Sequence, residues 1–200
     1  EILADLARPH PMRRLLQGDV GSGKTAIALL AAVAAAASGA QTALMAPTEL
    51  LAEQHALTLA SLGEGLGLRI GLLTASRPRA GVKGVLRELA DGGLDLVVGT
   101  QALLQAEVRF ACLALVVIDE QHRFGVRQRA ALAERSAGGL HPHILVMTAT
   151  PIPRTLALTL YGDLDLSLID ELPPGRTPVR TLLLREGEGA RVSELVRETL

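Results

Sequence analysis

Gly18, Asp19, Val20, Gly21, Ser22, Gly23, Lys24 and Thr25 match the pattern G-x-x-x-x-G-K-[ST] at every fixed position, and they constrain this chain more than any other stretch. Met12–Gln17 reads as a short strand entering the loop, and Thr25–Ala37 reads as a helix leaving it. That order sets the unpaired backbone N–H groups and positive dipole end of a helix against whatever the loop encloses, which suits a chain of phosphates. In such a loop Lys24 reaches the β- and γ-phosphates, and Thr25 offers a hydroxyl to Mg²⁺. The expected ligands are therefore the phosphates of a nucleotide together with Mg²⁺.

The chain has 200 residues, 48% of them hydrophobic, enough for one well-buried domain and a fragment of another. Aromatic residues make up only 2%, so the core must be built from Ala, Leu, Val and Ile, and base stacking is a poor way for this chain to hold nucleic acid. Any grip on DNA has to run through the phosphate backbone. A net charge of −1 exerts no global pull on a polyanion, although Arg123, Arg127 and Arg129 form a local basic cluster. The apolar run Ala26–Ala37 falls short of the roughly 20 residues that cross a bilayer, and reads as a buried helix. The single Cys112 excludes an internal disulfide framework and precedes an apolar strand, so it is expected to be packed and buried. No basic-then-apolar leader is seen, and a reducing cytoplasm is the natural setting. His141 and His143 flank Pro142 without cysteine or further histidine at ligand spacing, and are read as loop residues.

Apolar strand-like runs alternate with helical ones along the chain. Thr42–Ala46, Arg69–Thr74, Leu94–Gly99, Leu113–Ile118, Ile144–Thr148 and Leu164–Ile169 are the expected strands; Glu49–Leu62, Val82–Ala90, Val126–Ala133 and Arg154–Leu160 are the expected helices between them. This alternation predicts an α/β fold with a mostly parallel twisted sheet and helices on both faces, ligands gathering at the carboxyl ends of the strands. Leu172-Pro-Pro-Gly-Arg-Thr-Pro178 reads as a stiff extended linker. It divides residues 1–171 from residues 179–200, where Val179–Leu184 and Ala190–Leu200 suggest the first strand and helix of a second, incomplete domain. The chain reads as a piece of a longer protein.

Leu113–Glu120 is an apolar strand ending in two acids. Asp119, at the strand tip, suits Mg²⁺ held through water beside Thr25, and Glu120 suits the orientation and deprotonation of an attacking water.

Taken together, Gly18–Thr25, Ala46-Pro-Thr-Glu-Leu-Leu51, Val98-Gly-Thr-Gln101, Asp119-Glu-Gln-His122 and Thr148-Ala-Thr150 resemble the motifs I, Ia, Ib, II and III of superfamily 2 helicases and translocases. Asp119–Gly125, Thr148–Thr155, Tyr161–Asp165 and Leu172–Arg176 are most similar to the RecG family of bacterial ATP-dependent DNA helicases. The Mfd family of transcription-repair translocases shares much of this, but its acidic motif typically has a second Glu where this chain has Gln121. The resemblance implies a RecA-like P-loop NTPase domain, the first of two motor domains, that moves on duplex DNA and remodels Holliday junctions and stalled forks. A non-motor nucleotide switch is the alternative from a different class, and it has no need of the Ia, Ib and III segments.

The same resemblance implies DNA phosphate contacts at Pro47, Thr48, Glu49, Gly99 and Thr100, where a helix start and a strand end offer backbone N–H and hydroxyl donors. Thr48 and Thr100 also suit helix caps, a role compatible with the first. Gln121, His122, Thr148 and Thr150 are implied to couple the γ-phosphate to the DNA groove. A second motor domain supplying arginines and a wedge domain recognising the junction are the implied partners, so this stretch alone is expected to turn ATP over poorly. The roles of Arg123, Phe124 and Arg154 do not follow from the residues.

Overall fold

The computed structural model describes residues 1–119, 141–150, 164–171, 181–184, 187 and 189–199. The expected helices Val126–Ala133 and Arg154–Leu160, the basic cluster, the linker 172–178, and Glu120, Gln121 and His122 lie outside them.

Among the described residues, seven parallel strands form the frame. They are β1 (Arg13–Gly18), β2 (Gln41–Met45), β3 (Ile70–Leu73), β4 (Leu96–Gly99), β5 (Leu113–Asp119), β6 (His143–Thr148) and β7 (Asp165–Ile169), in the order β3-β4-β2-β5-β6-β1-β7. Around them lie α1 (Ile2–Leu6), α2 (Lys24–Ala37), α3 (Glu49–Leu62), α4 (Arg79–Ala90) and α5 (Gly189–Thr199), with a 3₁₀ turn over Gln101–Leu104. The order doubles back: the chain leaves β1, lays β2, β4 and β3 on one side, then returns through β5 and β6. These seven strands agree with the sequence reading to within two residues at each end, but residues 181–184, expected within a strand over Val179–Leu184, pair with no neighbouring strand and are not in one.

Two cores explain why these runs are apolar throughout. Leu16, Leu44, Val98, Leu115, Val117, Leu145 and Met147 face α2 and α3, meeting Ala28, Ala31, Ala32, Ala52 and Leu59. Leu15, Ala43, Met45, Val97, Val116, Ile118 and Val146 face the other side, meeting Leu89, Leu103, Val108 and Phe110. Successive strand residues alternate between faces, so a strand covered on both must be apolar at every position. β2 is buried at all five positions, whereas the edge strand β7 buries only Ser167 fully. Each fully buried leucine contributes about 1.5–3 kcal/mol relative to exposure. With so few aromatic side chains, that sum over aliphatic residues supplies most of the driving force.

Three polar side chains hold the periphery. Gln41 donates from Nε2 to the carbonyls of Leu89 (3.0 Å) and Leu94 (2.9 Å) and accepts from the Cys112 amide (3.1 Å), satisfying backbone groups of two loops at the start of β2. Arg14 ties α1, β1 and β7 through Asp5 and Ser167. Arg69 pairs with Asp95 at 2.7 Å, fastening β3 to the loop before β4.

Two local expectations are corrected. Cys112 is exposed rather than packed: the neighbours Phe110 and Leu113 take the buried places, while the Cys112 backbone is held by Gln41. His143 is not a loop residue but the first residue of β6, and its Nδ1 accepts the Met12 amide at 2.9 Å.

That bond requires a neutral acceptor nitrogen, and burial pushes the ring's pKa below its ordinary value of 6.5. Below about pH 6.5 the unfolded chain takes up this proton before the folded one does. The stability supported by the neutral ring is thus full above that pH and declines as pH falls towards the folded-state value. His143→Asn offers an acceptor that does not titrate, and is expected to flatten the slope of unfolding free energy against pH in this window. Urea denaturation at a series of pH values reads the slope; equal slopes in both proteins would contradict the assignment.

Candidate functional site

The glycine-rich loop runs from the end of β1 into the first turn of α2. Gly21 and Gly23 hold φ of 80° and 94°, conformations that L side chains rarely adopt. Gly18 is required for a different reason. A Cβ there would lie 2.5 Å from Ser22 Oγ and 3.0 Å from Ile169, so any larger residue forces those side chains to shift.

The loop carries the marks of an anion cradle. Gly23 caps α2 without a side-chain hydrogen bond, leaving first-turn amides with no side-chain acceptor. Ser22 Oγ is buried without a hydrogen-bond partner. Lys24 Nζ donates to the carbonyls of Gly18 (2.8 Å) and Asp19 (2.7 Å), so the ammonium is folded back onto the loop. Val20 stands out at 71% exposure on the loop's outer side. An orphaned hydroxyl, a tethered cation and a helix N-terminus together fit a phosphate group. The hydroxyl of Thr25 and the carboxylate of Asp119 are hard oxygen donors of the kind that would suit Mg²⁺.

Sheet register decides where the acid lies relative to the loop. Gln17 pairs with Thr148 on β6, and Met147 of β6 pairs with Asp119 on β5. Gly18 and Asp119 therefore end strands separated only by β6, about 10 Å apart at usual strand spacing. Alternation adds the second half of the argument. Asp119 follows Leu115 and Val117, and Gly18 follows Leu16, so both lie on the face covered by α2 and α3. Loop, acid and the head of α2 thus share one edge and one face.

The remaining described residues fall along the same carboxyl edge. Thr148 and Thr150 bond through their hydroxyls at 2.9 Å at the end of β6. Thr48 caps α3, accepting the Leu51 amide at 3.3 Å, whereas the Thr100 side chain makes no cap bond to the 3₁₀ turn it precedes. Pro47 lies between Ala46, fully buried beyond β2, and this cap. Gly99 packs under the sheet edge, where a Cβ would lie 2.5 Å from the Leu73 carbonyl oxygen. Glu49 turns its carboxylate to the amides of Ala75 (3.0 Å) and Ser76 (3.2 Å), and hydrogen bonds from Ser76 lower its pKa. A carboxylate so held pins the loop after β3.

One residue escaped the sequence reading. His55 Nε2 lies 2.7 Å from Asp119 Oδ2, with both side chains 12% exposed. The available signal was its place on α3: Ala52, His55, Ala56 and Leu59 are spaced as a core-facing stripe, and a histidine there needs a polar partner.

The DEAD/DEAH box helicase family matches residues 5–159. The chain belongs to this family. Members use ATP, in keeping with the loop just described. The chain is 59% identical over 184 residues to the ATP-dependent DNA helicase RecG of Acidithiobacillus ferridurans, covering 92% of itself and 26% of that relative. To RecG of Aquifex aeolicus it is 52% identical over 200 residues, covering 100% of itself and 25% of the relative. It spans about a quarter of the length of these relatives. A structure of RecG bound to a three-way DNA junction superposes with a TM-score of 0.84 at 42% identity, over 98% of this chain and 26% of the other. The yeast DEAD-box splicing factor Prp28 superposes with a TM-score of 0.62 at 15% identity, over 94% of this chain and 49% of that one, a likeness of fold. The RecA-like α/β fold of the DEAD/DEAH box helicases is thus the fold of this chain. Among the described residues no helix is long and apolar enough to cross a membrane.

Proposed function

We propose that this chain is the first motor domain of a RecG-type helicase that uses ATP hydrolysis to move on duplex DNA and remodel branched junctions and forks in the cytoplasm. The observation that carries the reading is the meeting of the glycine-rich loop and Asp119 on one edge and one face of the sheet. The RecG relatives, and the likeness to RecG bound to a three-way junction, favour branched DNA over other tracks. Residues 172–178 are the proposed linker and residues 179–200 the start of a second motor domain, with a wedge domain elsewhere in the protein.

In this reading Lys24 and the first-turn amides of α2 bind the β- and γ-phosphates, and Ser22 Oγ finds its partner there. Thr25 and Asp119 hold Mg²⁺, which supplies charge neutralisation on the phosphates when bound. Glu120 orients the attacking water and takes its proton. Thr48 and Thr100 offer donors to DNA phosphates, with Pro47 in contact beside them, which fixes position on the duplex without reading sequence. Glu49 and Gly99 serve the track indirectly, by holding the neighbouring loop and the sheet edge. Gln121 and His122, with Thr148 and Thr150, link the nucleotide to that track.

The test is the ATPase rate of the full-length protein with and without a three-way DNA junction, in wild type and Glu120→Gln. Removal of a general base costs typically 10²–10⁴-fold. Junction DNA is expected to accelerate the wild type, while Glu120→Gln binds nucleotide as tightly but hydrolyses it at least about 100-fold more slowly. A wild-type rate indifferent to DNA would discard the motor reading.

A further inference from the structure

Helix α3 touches both ends of the proposed machine. Its N-terminus is the Thr48 cap, and about 10 Å further along the helix axis His55 meets Asp119. An ionised carboxylate only accepts hydrogen bonds, so Nε2 of His55 carries the proton and donates to Oδ2 of Asp119. The bond pins one carboxylate oxygen and so fixes the plane of the group. It also crosses between elements 64 residues apart in sequence. Around it, Ala52 and Leu59 of α3 pack against the same face of the sheet as Leu115 and Val117.

Resting on the reading of Asp119 as the metal-binding acid and Thr48 as a track contact, we propose that His55 is a positioning residue: it sets the Asp119 carboxylate for Mg²⁺ and ties it to helix α3, so that DNA engagement at the head of α3 is felt at the metal. Outer-shell partners of metal-bound carboxylates and histidines typically change metal affinity or activity 10–100-fold when removed.

The test compares His55→Leu, which keeps the packing volume, with His55→Gln, which keeps an amide donor, in the full-length protein. Half-saturating Mg²⁺ at saturating ATP, kcat with and without junction DNA, KM for nucleotide, and the Mn²⁺ paramagnetic resonance spectrum of the ADP complex are read in each. His55→Leu is expected to need about tenfold more Mg²⁺ or to lose about tenfold in DNA-stimulated kcat per folded molecule, with KM within about twofold and a changed Mn²⁺ spectrum. His55→Gln is expected to recover most of the loss. The proposal fails if His55→Leu keeps wild-type metal dependence and DNA stimulation, if His55→Gln is as impaired as His55→Leu, or if lost activity merely follows lost folded protein. Asp119→Asn separates the two levels. If it leaves hydrolysis intact the metal-site reading itself falls; if it abolishes hydrolysis while His55→Leu behaves as wild type, only the link through His55 falls.

Discussion

Lys24→Ala is expected to reduce ATP hydrolysis by at least about 100-fold, because it removes the one ammonium held inside the glycine-rich loop. The magnitude follows from what a single preorganised donor contributes where charge develops in a dry site, about 10²–10³ in rate. In the structure the ammonium sits on two backbone carbonyls, at 2.8 and 2.7 Å, and must exchange them for phosphate oxygens as nucleotide enters. Those carbonyls keep it at the mouth of the loop without neutralising it, so its charge is available to the incoming phosphates. Lys24→Arg is not expected to rescue, since a planar five-donor fork does not replace a compact ammonium at this spacing. Fluorescent-nucleotide binding and steady-state ATPase measure the loss, and a melting temperature close to wild type shows that it comes from the site. Equal nucleotide affinity in the wild type and Lys24→Ala would contradict the placement of phosphate in this loop.

Arg14→Ala is expected to be the most damaging change to stability. Its guanidinium is 10% exposed and donates from both Nε (2.8 Å) and Nη2 (2.6 Å) to one oxygen of Asp5, itself 7% exposed. Nη1 reaches Ser167 Oγ at 2.9 Å, and Ser167 in turn bonds Glu1. Removing the arginine strands a buried carboxylate, which costs roughly 3–5 kcal/mol. Arg8, at 2.9 Å from the other Asp5 oxygen but 67% exposed, compensates in part, so the lower end of that range is expected. Against a total stability of about 5–15 kcal/mol this is a large fraction. It corresponds to a fall in Tm of about 6–12 °C for a chain of this size. Urea denaturation measures it. The double change Arg14→Met with Asp5→Leu removes both charges and is expected to recover much of the loss, as replacing a buried ion pair by apolar groups often does. A loss below about 1 kcal/mol for Arg14→Ala would show that water reaches this pair in solution.

Strand and helix positions were legible because their signals are local. β2 and β5 are apolar at successive positions, α2 is alanine-rich with a glycine-lysine head, and Thr48 precedes Glu49 as a capping residue should. The glycine-rich loop and Asp119 were legible for the same reason, each being a short pattern with its chemistry inside it. What failed or was missed depended on partners distant in sequence. Cys112 was read from the apolar run that follows it, but its exposure is decided by the preceding bend that Gln41 holds from 71 residues away. His143 was read from Pro142 beside it, but its role comes from pairing with the Met12 amide 131 residues earlier. His55 carried a weak signal, a polar residue on an inward stripe, and nothing local names Asp119 as its partner.

The sequence by itself determined that this chain is an α/β nucleotide-binding fold, that a lysine and a threonine stand at the head of α2, and that an acid ends β5. It did so because backbone periodicity, glycine geometry and side-chain chemistry are properties of adjacent residues. Only the tertiary structure decided that β6 lies between β1 and β5, that Gly18 and Asp119 share a face, and that His55 and Arg14 find the carboxylates they hold. Strand order and side-chain pairing are set by how two apolar faces are buried at once, and burial of that kind is a sum over residues from the whole chain.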